Sequence, residues 1–248
     1  MTKTLLIAAT AAMLIHTSVK AEPSPPPATR VGVTDNLCGQ SRNDSSDIFN
    51  LCRYWAANRS LPKPSPARIV FIGDSLTESW KDSRPQFFEN DRIDRGISGQ
   101  TSAQMLVRFY ADVINLHPAV VHILAGSNDI AGNGGPTSFE AIENNLRSMV
   151  ELAQAHRIKV IIGTVPPAAR FGWRPEIDPV SSIRALNTWI REYARSRKAT
   201  LVDYYAALDD GHRALSKSDS ADGVHPSPAG YAKMEAALSA ALKLGHKR

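Results

Sequence analysis

From residue 68 onward, short runs of apolar and largely β-branched residues alternate with longer segments that have the period of an α-helix. Turn residues or the end of a helical segment bound each run, which is typical of buried strands. The alternation predicts an α/β fold, a three-layer αβα sandwich with helices on both faces of a mainly parallel sheet of about five strands. The predicted strands cover 68–72, 92–94, 120–125, 159–164 and 200–203.

Three of the helical segments carry clear apolar stripes. In 139–156 the apolar residues lie three or four positions apart, and Thr137 with Glu140 matches the capping box that starts many helices. The segments 181–197 and 228–244 repeat the pattern. We therefore predict a helix in each. The stripe residues are Phe139, Ile142, Leu146, Met149, Val150 and Ala153, then Ile183, Leu186, Ile190 and Tyr193, then Tyr231, Met234, Leu238 and Leu242.

The first 21 residues have the composition of a secretory signal peptide. Lys3 precedes a mostly apolar run over 5–15, and Val19-Lys20-Ala21 supplies the small residues of a cleavage site. The run is shorter than the about 20 residues that a membrane-spanning helix needs. We therefore expect residues 1–21 to be removed on export, which leaves a secreted or periplasmic protein with no integral membrane anchor.

Residues 22–67 are predicted to be a proline-rich tether and an N-terminal extension, followed by a single domain over 68–248. Four of the residues in 22–28 are proline, which favours extended polyproline structure over a packed element. Within the extension, 44–60 places its apolar residues at helical spacing, so we predict a helix there. The residues on that face are Ile48, Leu51, Cys52 and Trp55.

Cys38 and Cys52 are the only cysteines of the chain. Export would place them in an oxidising compartment, which favours a structural disulfide between them. Two free buried thiols are the alternative. Neither cysteine is a convincing nucleophile, because no histidine stands in a matching motif nearby.

The charge of the chain does not indicate a nucleic-acid partner. The formal net charge is +5, and losing Lys3 and Lys20 with the signal peptide would lower it to +3. Basic residues gather near the end of the second striped helix, but an acidic residue interrupts them and helical spacing spreads them around the surface. We interpret them as a solvated helix end rather than an anion site. These residues are Arg191, Arg195, Arg197 and Lys198, with Glu192 among them.

The strand predicted over 68–72 runs into Gly73-Asp74-Ser75-Leu76, which places Ser75 just past the carboxyl end of the first strand. Ligands of open α/β sheets bind at that edge. The first N–H groups of a helix starting there would also stabilise developing negative charge. Taken alone, the segment is better interpreted as a strand-to-helix turn with a capping serine. Whether Ser75 is instead a nucleophile depends on the presence of partner residues.

Asp222-Gly223-Val224-His225-Pro226 supplies such partners immediately before the last predicted helix. Three-residue spacing on a turn lets Asp222 reach one ring nitrogen of His225. A serine hydroxyl becomes nucleophilic when an imidazole removes its proton, and a carboxylate fixes the tautomer of that imidazole. Ser75, His225 and Asp222 together predict a catalytic triad.

Other kinds of site find no support in the sequence. No histidine pair has i, i+4 spacing and no cysteine pair has close chelating spacing, so we predict catalysis without a metal or cofactor. Ser75 also lacks the second glycine of a Gly-x-Ser-x-Gly elbow, which disfavours the α/β-hydrolase fold. The remaining histidines lack a comparable acid, and a surface or core position is their default.

Four short blocks, each at the end of a predicted strand or before the last helix, resemble those of the SGNH hydrolases, also called GDSL esterases and lipases. They are Gly73-Asp74-Ser75-Leu76, Gly99, Gly126-Ser127-Asn128-Asp129 and the Asp222–His225 pair. The resemblance spans roughly residues 68–244 and implies a flavodoxin-like sheet.

The resemblance also implies roles for individual residues. Ser75 would attack the acyl carbonyl, His225 would act as general base and then acid, and Asp222 would orient His225. The oxyanion would meet the backbone N–H groups of Ser75 and Gly99 and the side-chain amide of Asn128. For Asp74 and Asp129 we predict loop-holding roles, because turn aspartates commonly accept nearby backbone N–H groups.

The loop over 166–179 follows the fourth predicted strand and should overhang the site. Phe171 and Trp173 could line an acyl or sugar subsite, and Arg174 could contact an anionic group. Equally, the two aromatic residues could simply pack the loop onto the domain, with Arg174 facing solvent.

Export and the family resemblance together predict a secreted hydrolase of short-chain acyl or acetyl esters, whose partner is a small-molecule, glycan or lipid ester. A lysophospholipase or thioesterase is one alternative. An acyltransferase that passes the Ser75 acyl group to a sugar is another, and a non-catalytic carbohydrate-binding protein on the same fold is a third.

Overall fold

The computed structural model describes Cys38 and residues 47–245. Its central sheet contains five strands: β1 (Ile69–Gly73), β2 (Arg92–Gly96), β3 (Val120–Leu124), β4 (Lys159–Gly163) and β5 (Thr200–Val202). All neighbouring strands are parallel, and their order is β2-β1-β3-β4-β5. The strands fall within one or two residues of the predicted ones.

The register of the central strands brings their carboxyl ends level with one another. Gly73 of β1 pairs with Gly96 of β2 on one side and with Leu124 of β3 on the other. The loops that follow these three strands therefore leave the sheet at one edge. This is the flavodoxin-like strand order, in which ligands bind in the crevice between the ends of β1 and β3.

Helices lie between and beside the strands. Those with described bounds are α1 (Trp55–Arg59), α2 (Ser75–Ser83), α3 (Ser102–Asp112), α4 (Ser127–Ile130), α5 (Phe139–Ala155), α6 (Pro179–Ser196), α7 (Tyr204–Leu208) and α8 (Pro228–Gly245). Short 3₁₀ helices cover Pro85–Phe88 and Ile114–Leu116. The three striped segments thus form α5, α6 and α8, as predicted.

Alternate residues of β1 face two separate apolar cores. Val70 and Ile72 belong to the core that α3, α5 and α6 complete, whereas Phe71 belongs to the core that α2, α7 and α8 complete. All three side chains are fully buried. A parallel sheet covered by helices on both faces is the predicted three-layer αβα sandwich, so that prediction is confirmed.

The start of α5 differs from the predicted capping box. Ser138, rather than Thr137, is the N-cap residue, and its hydroxyl accepts the N–H of Ala141 at 3.1 Å. Because the helix begins at Phe139, Thr137 lies one position too early and Glu140 is the second helical residue instead of the third. The capping-box prediction was therefore wrong by one residue.

The helix predicted over 44–60 is confined to α1. The Asp47 carboxylate accepts the backbone N–H groups of Leu51 and Cys52, both at 2.8 Å, which holds the preceding residues in tight turns. Asn50 has a φ of 55°, a left-handed conformation that a helix cannot contain. Two residues of the predicted apolar face, Ile48 and Leu51, are consequently exposed, while Cys52 and Trp55 are half-buried. Residues 44–46 lie outside the described residues.

The predicted signal peptide and the proline-rich segment over 22–28 also lie outside the described residues, so the boundaries of 1–21, 22–67 and 68–248 stay predictions. Cys38 and Cys52 form a disulfide, as favoured from the sequence. Across the described part of the chain, no helix has the length and apolar character needed to cross a membrane.

Candidate active site

Ser75 is the first residue of α2 and follows β1 through the single residue Asp74. Asp74 caps this helix, because its Oδ1 accepts the N–H of Leu76 at 2.9 Å. The capping role that the alternative interpretation gave to Ser75 is thus filled by its neighbour. The hydroxyl of Ser75 is left to interact with other partners.

Gly73 permits this abrupt passage from strand to helix. A Cβ atom there would collide with the side chain of Thr77 and would lie 3.0 Å from the carbonyl oxygen of Leu124. Any larger residue would therefore push α2 away from the sheet. The glycine of the Gly-Asp-Ser-Leu block is needed for close packing, and it sets the position of Ser75.

The three residues of the predicted triad are in hydrogen-bond contact. The Oγ of Ser75 lies 2.9 Å from the Nε2 of His225, and the Nδ1 of His225 lies 2.7 Å from the Oδ2 of Asp222. The Oδ1 of Asp222 accepts the backbone N–H groups of Val224 and His225 and the hydroxyl of Ser220. The loop before α8 therefore fixes the carboxylate from several sides.

The electrostatics of this loop favour an ionised Asp222. Partial burial would raise the pKa of Asp222, but hydrogen bonds from the His225 ring and from the backbone N–H groups of His225 and Val224 hold that pKa well below its usual range. An ionised carboxylate only accepts, so the contact with His225 requires a proton on Nδ1. When neutral, the ring then presents the Nε2 lone pair to the hydroxyl of Ser75, which is the arrangement for removing a serine proton.

The residues that carry the three predicted oxyanion donors line one open cavity of about 460 Å³, together with His225. As the first residue of α2, Ser75 has a backbone N–H with no intrahelical acceptor. Gly99 lies in the turn after β2, where Gln100 donates its N–H to the carbonyl of Ile97 at 3.2 Å. Its φ of 79° suits the third position of a type II turn, which favours glycine.

Asn128 lies in α4, directly after β3, and is buried. Its Nδ2 donates to the Oδ2 of Asp74 at 3.1 Å, and its Oδ1 accepts the Nδ2 of Asn133 at 2.5 Å. The amide is therefore held with its N–H₂ group on the Asp74 side.

The two block aspartates hold the loops around the site. Asp74 is buried, and burial raises its pKa to about 6, although the Leu76 N–H acts against that rise. Asp129 accepts the backbone N–H of Ser102 at 2.9 Å and its hydroxyl at 2.5 Å, which joins the loop after β3 to the start of α3. Burial raises the pKa of Asp129 as well. These contacts agree with the loop-holding roles predicted for both residues.

The three predicted substrate-binding residues occupy different environments. Trp173 lines the cavity, is 43% exposed, and has its ring centroid 6.3 Å from that of His225. Phe171 is fully buried and stacks against Trp173 at 5.1 Å, so it supports the cavity wall without reaching the cavity. Arg174 pairs with Glu176 at 2.6 Å, donates to the carbonyl of Gly132 at 3.4 Å, and does not contribute to the described lining. Phe171 therefore packs the loop onto the domain, as the alternative interpretation proposed, and Trp173 alone of the three residues lines the cavity.

Three lining residues did not emerge from the sequence: Ser79, Ser98 and Asn133. Ser79 lies one helical turn beyond Ser75, so the i, i+4 spacing could have indicated it. Asn133 accepts the Nε1 of Trp173 at 3.1 Å while donating to Asn128. It lies in a glycine-rich loop, where nothing in the sequence marks it.

The sequence profile of the GDSL-like Lipase/Acylhydrolase family matches residues 71–233, a span that contains Ser75, Asp222 and His225. The chain belongs to this family. It is accordingly an ester hydrolase.

Two solved structures share the fold and much of the sequence. One, from Bacteroides fragilis and assigned as an acylhydrolase, is 47% identical, with a TM-score of 0.77; the match covers 80% of this chain and 99% of that one. A GDSL-like lipase of Bacteroides thetaiotaomicron is 44% identical, also with a TM-score of 0.77, over 79% and 98% of the two chains. Esterase TesA of Pseudomonas aeruginosa is 28% identical over 67% of this chain and 83% of its own length.

Proposed function

We propose that this GDSL hydrolase cleaves short-chain acyl or acetyl esters through an acyl-enzyme formed on Ser75. The observation that carries the proposal is the Ser75–His225–Asp222 contact series at the carboxyl edge of the sheet. It provides a nucleophile, a base and an orienting carboxylate in hydrogen-bond order.

In the first half of the reaction, the Oγ of Ser75 attacks the carbonyl carbon of the ester and its proton passes to the Nε2 of His225. The carbonyl π electrons move to the oxygen, and the N–H groups of Ser75, Gly99 and Asn128 stabilise that oxyanion. When the oxyanion collapses, the alcohol oxygen leaves with the proton from His225. An acyl group then remains bound to Ser75.

In the second half, water replaces the alcohol. His225 removes a proton from the water as its oxygen attacks the acyl carbon, and the same donors stabilise the second oxyanion. Collapse of this oxyanion breaks the bond to the Oγ of Ser75, which regains its proton from His225. The products are a carboxylic acid and the free enzyme.

The lining of the cavity favours compact esters. Besides the proposed catalytic groups it contains Ser79, Ser98 and Asn133, and Trp173 is the one large apolar side chain that the structure describes there. A long acyl chain needs an extended apolar surface. The lysophospholipase alternative is therefore less well supported than a short acyl group.

Exposure of the triad favours water as the acyl acceptor. The side chain of His225 is 34% exposed and that of Asp222 is 54% exposed. A transferase has to keep water away from its acyl-enzyme, because water would otherwise resolve it. Hydrolysis is thus better supported than transfer to a sugar.

We further propose that the enzyme is exported and acts outside the cytoplasm. Two features support this location: the signal-like composition of residues 1–21 and the disulfide between Cys38 and Cys52. Disulfides persist mainly in oxidising compartments.

Hydrolysis of a p-nitrophenyl ester series from acetate to palmitate, by the purified protein and by folded Ser75→Ala, tests the proposal. We expect the highest kcat/KM with the shortest esters and its loss in Ser75→Ala. Highest activity on long chains would replace the short-chain assignment with a lipase-like one. Equal rates for the two proteins would exclude Ser75 as the nucleophile.

A further inference from the structure

The N-terminal extension contacts the turn that contains Gly99. We call residues 47–54 the brace. The backbone carbonyl of Phe49 accepts the Nε2 of Gln100 at 3.1 Å, and that of Ile48 accepts the Nε2 of Gln104 at 3.3 Å. At the other end of the brace, the hydroxyl of Tyr54 donates to the carbonyl of Gly96. The brace therefore contacts both flanks of the turn.

A second connection runs through Glu78, one helical turn beyond Ser75 in α2. Its Oε2 accepts the backbone N–H of Ser98 at 2.8 Å and the hydroxyl of Ser98 at 2.5 Å. Its Oε1 accepts Arg53 of the brace at 2.8 Å. Glu78 thus joins the helix that begins with Ser75, the residue before Gly99, and the brace.

The brace is itself fastened to the domain. The guanidinium of Arg95, in β2, lies 4.6 Å from the centre of the Tyr54 ring. Arg95 also donates to the Oδ1 of Asn58 at 2.8 Å, and Asn58 donates to Asp112 of α3 at 2.8 Å. These contacts attach the C-terminal end of the brace to β2 and, through Asn58 in α1, to α3. Cys52 of the brace is also disulfide-bonded to Cys38.

Gly99 has open space on its Cβ side and is held through the backbone of its turn. A Cβ atom at this position would meet no described atom within 4 Å, and Gly99 adopts a left-handed φ of 79°. The direction of its N–H consequently depends on the residues beside it. An oxyanion donor is effective only when it is already aimed at the developing charge, because a misplacement of about 1 Å can cost about a hundredfold in rate.

We propose that the brace holds the Gly99 turn in the geometry of the oxyanion hole, with Tyr54, Arg53 and Glu78 as positioning residues. This inference rests on the proposed function, since it assigns an oxyanion role to Gly99. It gives the N-terminal extension a part in catalysis, although no residue of the brace lines the cavity.

Tyr54→Phe is the sharpest test, because it removes one hydroxyl and keeps the ring beneath Arg95. We expect kcat on p-nitrophenyl acetate to fall about tenfold with KM nearly unchanged, since a misaimed donor weakens the transition state more than the bound ester. Tyr110→Phe is the matched control, because it removes a hydroxyl that contacts His156 at 3.1 Å on the exposed side of α3. It should keep kcat within about twofold of wild type.

Two substitutions of Arg53 test the ion pair between Arg53 and Glu78. Arg53→Met should lower kcat as Tyr54→Phe does, whereas Arg53→Lys keeps the charge beside Glu78 and should restore most of the activity. Titration with a phosphonate ester gives the fraction of active protein. If kcat falls only in proportion to the fraction of active protein, the variants are misfolded in part and the positioning role is overturned.

Hydrogen exchange of residues 96–100 provides a readout that does not depend on activity. We expect faster exchange there in Tyr54→Phe and Arg53→Met, and wild-type exchange in Tyr110→Phe. Unchanged exchange in the first two variants, or faster exchange without a lower kcat, would overturn the inference while leaving an active esterase. A wild-type protein with no ester hydrolysis would overturn the proposed function, and the oxyanion role of Gly99 with it.

Discussion

Asn133 donates a hydrogen bond from its side-chain amide to the Oδ1 of Asn128, with 2.5 Å between the two atoms. The same residue accepts the indole N–H of Trp173 at 3.1 Å, and its backbone N–H donates to the carbonyl of Asn128 at 3.0 Å. Asn133 therefore connects the aromatic wall of the cavity to the proposed oxyanion donor and fixes which end of that amide faces Asp74.

Asn133→Asp should reverse the orientation of the Asn128 side-chain amide. A carboxylate at position 133 would accept from Asn128 and favour turning its Nδ2 away from the oxyanion. We expect kcat on p-nitrophenyl acetate to fall by about a hundredfold, close to the loss of one donor, and Asn133→Ala to fall less. Asn144→Asp, at an exposed position of α5, is the matched control. Equal kcat values in Asn133→Asp and the control would show that Asn133 does not orient Asn128.

Asn128→Ala removes the proposed donor itself. We expect turnover to fall by about two to three orders of magnitude. The folded state should also lose about 1–3 kcal/mol, because the buried Asp74 carboxyl loses a donor. Steady-state kinetics and urea unfolding measure the two effects separately. A variant with wild-type turnover would remove Asn128 from the oxyanion hole.

The raised pKa of Asp74 predicts an unusual dependence of stability on pH. Burial raises this pKa to about 6, so the folded chain retains a proton that the unfolded chain releases from about pH 4 upward. The contribution of Asp74 to the free energy of unfolding therefore falls as the pH rises from about 4 to about 6, by up to about 3 kcal/mol. Above that window, the full penalty for the buried charge remains.

Urea unfolding of wild type and Asp74→Asn at pH 4.5 and pH 7 measures this contribution. We expect the stability of Asp74→Asn relative to wild type to be higher at pH 7 than at pH 4.5. Asp82→Asn, which removes an exposed carboxyl of α2, controls for the change in net charge. A difference that does not vary with pH, or that varies in the opposite direction, would contradict the raised pKa.

Trp173 is expected to bind the substrate. Trp173→Ala should raise KM by about three- to tenfold, the range of one lost aromatic contact, and should lower kcat less. Arg174→Ala is the neighbouring control, because Arg174 does not line the cavity. Initial rates with p-nitrophenyl and acetylated sugar esters provide the comparison. If the two variants have the same KM as wild type, Trp173 serves only to pack its loop on Phe171.

The sheet and the triad could be predicted because their signals are local. Each predicted strand forms within one or two residues of its prediction, and the parallel order places Ser75 at the carboxyl edge of the sheet. Three-residue spacing within one turn was likewise enough to pair Asp222 with His225. Patterns of this kind depend on residues that are close in the sequence, so they can be identified without knowledge of tertiary packing.

The remaining features depend on contacts between distant segments. The helix pattern in the N-terminal extension failed because the Asp47 carboxylate and Asn50 turn the chain before α1. The two aromatic residues of the loop after β4 have the same apolar character, and only packing shows that Phe171 is inside and Trp173 outside. The contact between Asn133 and Asn128 depends on how a glycine-rich loop folds back, which residue spacing does not show.

The central claim is that Ser75 forms the acyl-enzyme, and covalent labelling with an alkyl fluorophosphonate tests it most directly. The purified protein is incubated with the reagent, ester hydrolysis is followed, and the modified peptide is mapped by mass spectrometry. We predict one adduct, on Ser75, which forms in parallel with the loss of hydrolysis and forms far more slowly in His225→Ala. Loss of hydrolysis with Ser75 unmodified, or with the adduct on another residue, would contradict the account.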